Sequence, residues 1–374
     1  MEHEKILTDM SGPDRQAKRR PAARARGRDK SGSRLSRETL EWIVHAFFFL
    51  CGFAAVACVL FISIYLVISG LPAILEIGPA AFLTGEVWAP KQELYGILPF
   101  VLTSLAGTGG AILIGVPIGV LTAMFLAKVA NENVAAVIRT AVSLLAGIPS
   151  VVYGLVGMVV LVPGVQKLFG LSSGANLLSA IIVLAIMILP SIINVAETSL
   201  RAVPKEYEEA SLALGATHIE TIFRVSLPAA RSGVATAIVL GVGRAIGEAM
   251  AIIMVSGNVA NMPGGLFTPV RFLTTAIASE MNYAPVGSLW KQSLFSIGLV
   301  LFLFIILIIN AENLDFVLNL FLNLFYRFLF VFCFFFLKKG FPVKYCFHRR
   351  NCHFNHRVIR LFCCKTLQHK SRFT

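Results

Sequence analysis

Glu209-Ala210-Ser211-Leu212-Ala213-Leu214-Gly215, closed twelve residues on by Leu227-Pro228, is a polar, helix-forming stretch between long apolar runs. Residues 204–214 read as a short helix with Glu206, Glu208 and Glu209 near its start, where the helix dipole favours acids. Gly215 ends it, and 217–223 read as a second short helix before Leu227-Pro228 returns to apolar sequence. The bland reading is a plain helical hairpin loop. The fuller one is an elbow that sits in the cleft of a soluble partner.

The surrounding sequence fixes the class. The chain has 374 residues, of which 56% are hydrophobic and 14% charged, with a mean hydropathy of +0.77. Several apolar runs exceed the roughly 20 residues needed to cross a bilayer core. The expectation is an all-α polytopic membrane protein with six transmembrane helices, at about 43–69, 97–126, 137–162, 177–199, 232–256 and 290–310. Pro117, Pro149 and Pro190 fall inside three of them, which membrane helices tolerate when neighbours satisfy the freed carbonyls. Gly115-x-x-x-Gly119 and Gly243-x-x-x-Gly247 supply small surfaces for close helix packing.

Lys and Arg set the sidedness. With the N-terminus inside, the short cytoplasmic loops carry six and the outer loops four (Lys91, Lys167, Arg271, Lys291). The elbow at 200–231 is then cytoplasmic. A net charge of +13 raises nucleic-acid binding, but the cations follow membrane sidedness and form no groove, so no nucleic-acid partner is expected. The partner expected throughout is the lipid bilayer. In the outer loops, Trp88, Tyr95 and Trp290 suit an interfacial aromatic belt.

Two terminal segments stand apart. Residues 1–41 lack apolar periodicity and read as a disordered basic cytoplasmic arm. Residues 42–95 hold the first helix and an outer loop, and 96–310 the core. Beyond Ala311 there is no Ala, Gly340 is the sole Gly, and the last acid is Asp315. The tail 311–374 therefore reads as a frameshifted or appended segment without core function. Its Cys346, His348, Cys352, His353, His356, Cys363 and Cys364 show no Cys-x2–4-Cys spacing followed by paired His, so no metal is expected.

Two constellations carry candidate chemistry. Gly243-Arg244-Ala245-Ile246-Gly247-Glu248 lies in the fifth span, and about 16 Å of helix from Gly233 puts Arg244 near the bilayer midplane. Read as one helix, Arg244 and Glu248 share a face. Intramembrane charges usually face a bundle interior or an aqueous path, and a fixed guanidinium there replaces an oxyanion's hydration with paired hydrogen bonds. Glu248 is expected to hold Arg244 in position, and Gly243 and Gly247 to admit substrate. A purely structural ion pair is the alternative. The second constellation, Ala146-Gly147-Ile148-Pro149-Ser150-Val151-Val152-Tyr153-Gly154, breaks a span, and broken helices at membrane depth mark substrate paths as readily as packing kinks. Pro149 and Ser150 are the candidates there. No Gly-Lys dipeptide occurs, so no phosphate loop for ATP exists, and no catalytic residue is expected.

Together, Tyr95-Gly96-Ile97-Leu98-Pro99, the 146–154 stretch, residues 209–228 and the run 243–258 (GRAIGEAMAIIMVSGN) resemble the phosphate-specific ABC permease, in its PstC-type subunit. The resemblance covers about 42–310. It implies a type I ABC importer permease fold and transport of inorganic phosphate. It implies a sister permease subunit (PstA type), two ATPase subunits and an extracytoplasmic phosphate-binding protein as partners. No cofactor is implied in this chain, since ATP and Mg2+ belong to the ATPase. The implied location is the bacterial inner membrane. By position, Arg244 and Glu248 match charged residues associated with phosphate passage, while Glu209, Ala210, Gly215, Leu227 and Pro228 match the ATPase-coupling loop. Ser211 departs from the commoner Ala. A permease for sulfate or molybdate and a gradient-driven secondary transporter are the alternatives.

Overall fold

The computed structural model describes residues 31–309, which are mostly helical. Two units divide the chain, 1–65 and 66–374. In the first unit, the described residues form the leading part of helix α1 (Ser31–Ile77), whose first eleven residues lie within the stretch read as a disordered arm. Residues 41–62 are exposed throughout, an all-round apolar surface that suits lipid or another membrane helix. The reading of the 311–374 tail falls outside the described residues.

The second unit continues with α2 (Pro79–Thr84), a short antiparallel hairpin of β1 (Trp88–Ala89) and β2 (Leu94–Tyr95), and α3 (Leu98–Met124). Gly96 allows this corner to close, because a Cβ there would collide with the Gly85 backbone. A π-helical turn, Phe125–Val129, prolongs α3. There follow α4 (Glu132–Gly147), α5 (Ser150–Val156), α6 (Val162–Phe169) and α7 (Leu177–Arg201), the last capped by Asn176, whose side chain accepts the Ser179 N–H at 3.0 Å. Then come α8 (Lys205–Ala213), α9 (His218–Thr221), α10 (Leu227–Ala229), α11 (Arg231–Gly247), α12 (Met250–Val255), α13 (Leu273–Glu280) and α14 (Leu289–Ile309).

Among the described residues, five helices are long and apolar enough to cross a membrane, or six if a pair bent by 74° at Ala230 counts as one span. Two expected spans are therefore corrected. The third begins at Ser150 and runs to Phe169, because the Gly147-Ile148-Pro149 break detaches α4 from it. The fifth is broken: α11 stops at Gly247, and its 17 residues give about 25 Å, short of a roughly 30 Å hydrocarbon core.

The core is α7 wedged between α3 and α11. Ile188 and Ile192 on α7 are fully buried. They fill the spaces over Gly115 and Gly119 of α3, where an added Cβ would lie 2.7 and 2.8 Å from their carbons. On the other side Ile192 meets Gly241 of α11, at 2.9 Å from such a Cβ. Lipid is as apolar as isoleucine, so this fit of bulky residues over glycines, through dispersion contacts, holds the three helices together. Gly243 and Gly247, in contrast, face open space, so the second small-residue pair packs against nothing among the described residues.

A smaller core gathers Phe82, Trp88, Tyr95, Phe100, Leu294 and Ile297. Here Trp88 and Tyr95 are buried, at 7% and 6% exposure, so they form no interfacial belt. Burial, with Glu93 and Glu76 nearby, pushes the Tyr95 hydroxyl above its usual pKa. The Trp88 indole donates to Glu280 at 3.0 Å, as does that of Trp290 at 2.9 Å, and Arg271 pairs with the same carboxylate. The end of α1 is tied in by Ser296, whose hydroxyl donates to the Gly70 carbonyl at 2.5 Å.

Candidate functional site

The sequence-expected substrate residues lie at two helix breaks. One is Gly147-Ile148-Pro149, between α4 and α5; the other is Gly247-Glu248-Ala249, between α11 and α12. The helices that follow the breaks pack on each other, with Gly154 so close to α12 that a Cβ would stand 2.9 Å from the Ala251 Cα. Pro149 and Ser150 thus begin a helix that adjoins the one begun by Glu248. The Tyr153 hydroxyl reaches back across the first break and donates to the Leu145 carbonyl at 2.6 Å, satisfying one acceptor left at the end of α4.

Arg244 sits in the last turn of α11, where the negative end of the helix dipole favours a cation. Its side chain is exposed, within electrostatic reach of Tyr153, and has no carboxylate partner among the described residues. Gly147, Gly243 and Gly247 all border open space. The expected pairing of Arg244 with Glu248 is overturned. The helix ends at Gly247, and the extended ψ of 128° at Glu248 turns the chain that follows toward α12, bringing the Ala251 N–H within reach of the Glu248 carboxylate. Its Oε1 accepts the Ala251 N–H at 3.0 Å, capping α12, and its main-chain carbonyl accepts the Thr274 hydroxyl at 2.7 Å. Glu248 therefore shapes the break and does not pair with the guanidinium.

The elbow folds much as its residues dictate. Glu206 and Glu208 lie in the first turn of α8, and Gly215 ends the helix with φ +88°, a left-handed conformation costly for any residue with a Cβ. Thr217 and Glu220 form a capping box at the start of α9. The Thr217 N–H and hydroxyl hold the exposed Glu220 carboxyl below its usual pKa. The second helix of the elbow then runs through a π-helical turn, Ile222–Ser226, into α10, farther than the expected 217–223. Ser211 and Thr221 hydroxyls meet at 3.0 Å and join the two arms. Glu209, Ala210, Gly215 and Pro228 are exposed, whereas Leu227 is buried at 6% and anchors the arm to the core. The tip is apolar: Leu214 is 90% and Ile219 67% exposed.

Sequence reading missed the charged groups that brace this region. Glu197, 8% exposed, receives Arg139 Nε at 2.7 Å and Arg201 Nε at 2.9 Å, fastening α4 to α7. Arg201 Nη2 also donates to the Leu126 carbonyl at 3.0 Å, reaching the π-helical turn after α3. Only the Glu197–Arg201 pair, four residues apart on one helix, carries a sequence signal.

A family model described as the binding-protein-dependent transport system inner membrane component matches residues 115–329, more than half the chain. The chain belongs to this family. The match runs past residue 310 and so takes in the first residues of the stretch read as an aberrant tail. The permease is 41% identical over 266 residues to the probable ABC transporter permease protein YqgH of Bacillus subtilis (strain 168), covering 69% of this chain and 86% of that one. It is 36% identical over 288 residues to the phosphate transport system permease protein PstC of Haemophilus influenzae (72% and 90% covered). Among solved structures, a bacterial alginate ABC transporter superposes with a TM-score of 0.50 at 16% identity, covering 75% of this chain and 94% of that one. The fold is that of a type I ABC importer permease, and the chain is a multi-pass membrane permease subunit.

Proposed function

We propose that this permease conducts inorganic phosphate into a bacterial cell, driven by ATP hydrolysis on partner chains. Its relatives include phosphate transport permeases in several bacteria. The observation that carries the reading is Arg244: an exposed cation with no carboxylate partner among the described residues, set in a broken helix and flanked by glycines that leave room for an anion. A guanidinium matches phosphate oxygens in a two-point fork, recovering part of the hydration the anion leaves behind. With no carboxylate of the described residues competing, Arg244 is available to each passing anion, and Pro149 and Ser150 border the adjoining break.

The apolar tip of the elbow gives an ATPase its handle. In this arrangement one sister permease of the PstA type completes the path, two ATPase subunits hold ATP and Mg2+, and an extracytoplasmic phosphate-binding protein delivers cargo. This chain itself holds no cofactor. The N-terminus and the elbow lie in the cytoplasm. Uptake of labelled phosphate by cells carrying the complete transporter tests the reading. Uptake is expected to need ATP and to be competed by phosphate; competition by sulfate or molybdate instead, or uptake that survives ATP depletion, would refute it.

A further inference from the structure

The elbow is fastened to the membrane helices through one carboxylate. Glu208 on α8 lies 2.5 Å from Lys128 Nζ, and the same oxygen, Oε1, accepts a 2.9 Å hydrogen bond from Ser226 Oγ. All three groups are sheltered: the Lys128 side chain is 9% exposed, that of Glu208 17%, and Ser226 is fully buried. Lys128 belongs to the π-helical turn that prolongs α3, and Ser226 to the one that leads through α10 into α11. The His218 ring adds a contact to the Lys128 carbonyl at 3.0 Å.

Neither π-helical turn was foreseen from sequence, and such turns mark places where a helix is locally loosened, frequently at functional sites. Glu208 thus touches the loosened end of one core helix and the loosened approach to another, the one that carries Arg244. A solvent-exposed ion pair yields easily when its partners move. A sheltered one resists separation, because a charge left unpaired there has lost its water.

We infer that Glu208 is the positioning residue that passes movement of the elbow to α3 and α11, clamped between Lys128 and Ser226. The inference rests on the ATP-driven reading above. When a partner displaces α8, the shared oxygen draws Lys128 and Ser226 with it, so the two loosened turns shift together. Glu209, Ala210, Gly215 and Pro228 present the elbow outward; Glu208, like the buried Leu227, joins it inward.

The test uses the complete transporter in liposomes, with phosphate uptake and ATP hydrolysis measured in one sample. Glu208→Gln keeps the size and an acceptor oxygen but loses the charge. It is expected to lower phosphate carried per ATP about tenfold, the size of an ordinary coupling free energy. A ratio equal to wild type, even with both rates reduced, would overturn the inference, since a merely structural role lowers uptake and hydrolysis together. Should Glu208→Gln fail to assemble, Ser226→Ala, which leaves the ion pair intact, is expected to lower the ratio about threefold, and an unchanged ratio there is equally fatal. Wild-type liposomes that take up no phosphate would instead overturn the import reading, and this inference with it.

Discussion

Thr274 on α13 donates its hydroxyl to the main-chain carbonyl of Glu248 at 2.7 Å, pinning the break between α11 and α12 from a residue 26 positions away. The far end of α13 is Glu280, held by Arg271, Trp88 and Trp290. One short helix therefore links the break beside Arg244 to the corner where Trp88 and Trp290 meet Glu280. Thr274→Val keeps the shape and removes the donor, leaving a part-buried carbonyl without its partner, at a cost of about 1–3 kcal/mol. The expected outcome is a lower melting temperature of the purified complex and reduced phosphate uptake. Unchanged values of both would show the bond to be incidental.

Glu248 separates two accounts of the charged site. If it capped nothing and served Arg244, then Glu248→Gln would harm uptake as much as Glu248→Ala. Because its oxygen accepts the Ala251 N–H, Gln retains the acceptor and is expected to keep most uptake, whereas Ala loses a cap worth about 0.5–2 kcal/mol. Arg244→Gln, by contrast, is expected to abolish phosphate uptake while the ATPase still co-purifies. Radiolabelled uptake by the three variants decides between the accounts.

These two residues also show where sequence reading runs out. Residues 232–256 are apolar enough to pass as one span, and hydropathy cannot see that the chain stops being helical at Gly247. Four of the six spans, the elbow and its Gly215 turn were legible because they rest on local chemistry: apolar length and a helix-stopping glycine. Trp88 was misread for the opposite reason. Its place in an expected outer loop suits a membrane interface, but its fate is set by Glu280, 192 residues away. Lys128 and Glu208, or Arg139 and Glu197, likewise find each other only after the helices have packed.

The Arg271–Glu280 pair is a sheltered one, at 16% and 15% side-chain exposure. Glu280→Ala leaves two indole N–H groups without their acceptor and the Arg271 cation without its counter-charge, held by the Asn258 oxygens. Breaking such a pair from one side costs about 3–5 kcal/mol, so a marked fall in melting temperature is expected. The tryptophan emission should change with it, since Trp88 and Trp290 both lose a hydrogen bond to the carboxylate. Wild-type melting together with a wild-type emission spectrum would show that this corner is braced by packing alone.

Leu214 tests the elbow from its outer side. At 90% exposure it has almost nothing to lose within this chain, so Leu214→Asp should change the chain's own stability by no more than about 0.5 kcal/mol. An apolar anchor at a protein interface is different, because burying a carboxylate there without a partner is costly. The expected result is a permease that melts at the wild-type temperature but no longer co-purifies with its ATPase. Gly215→Ala makes a useful companion, since it strains the turn at φ +88° by about 1–2 kcal/mol without placing charge on the tip. If Leu214→Asp retains the ATPase while Gly215→Ala releases it, the elbow's shape rather than its apolar tip is what the partner reads.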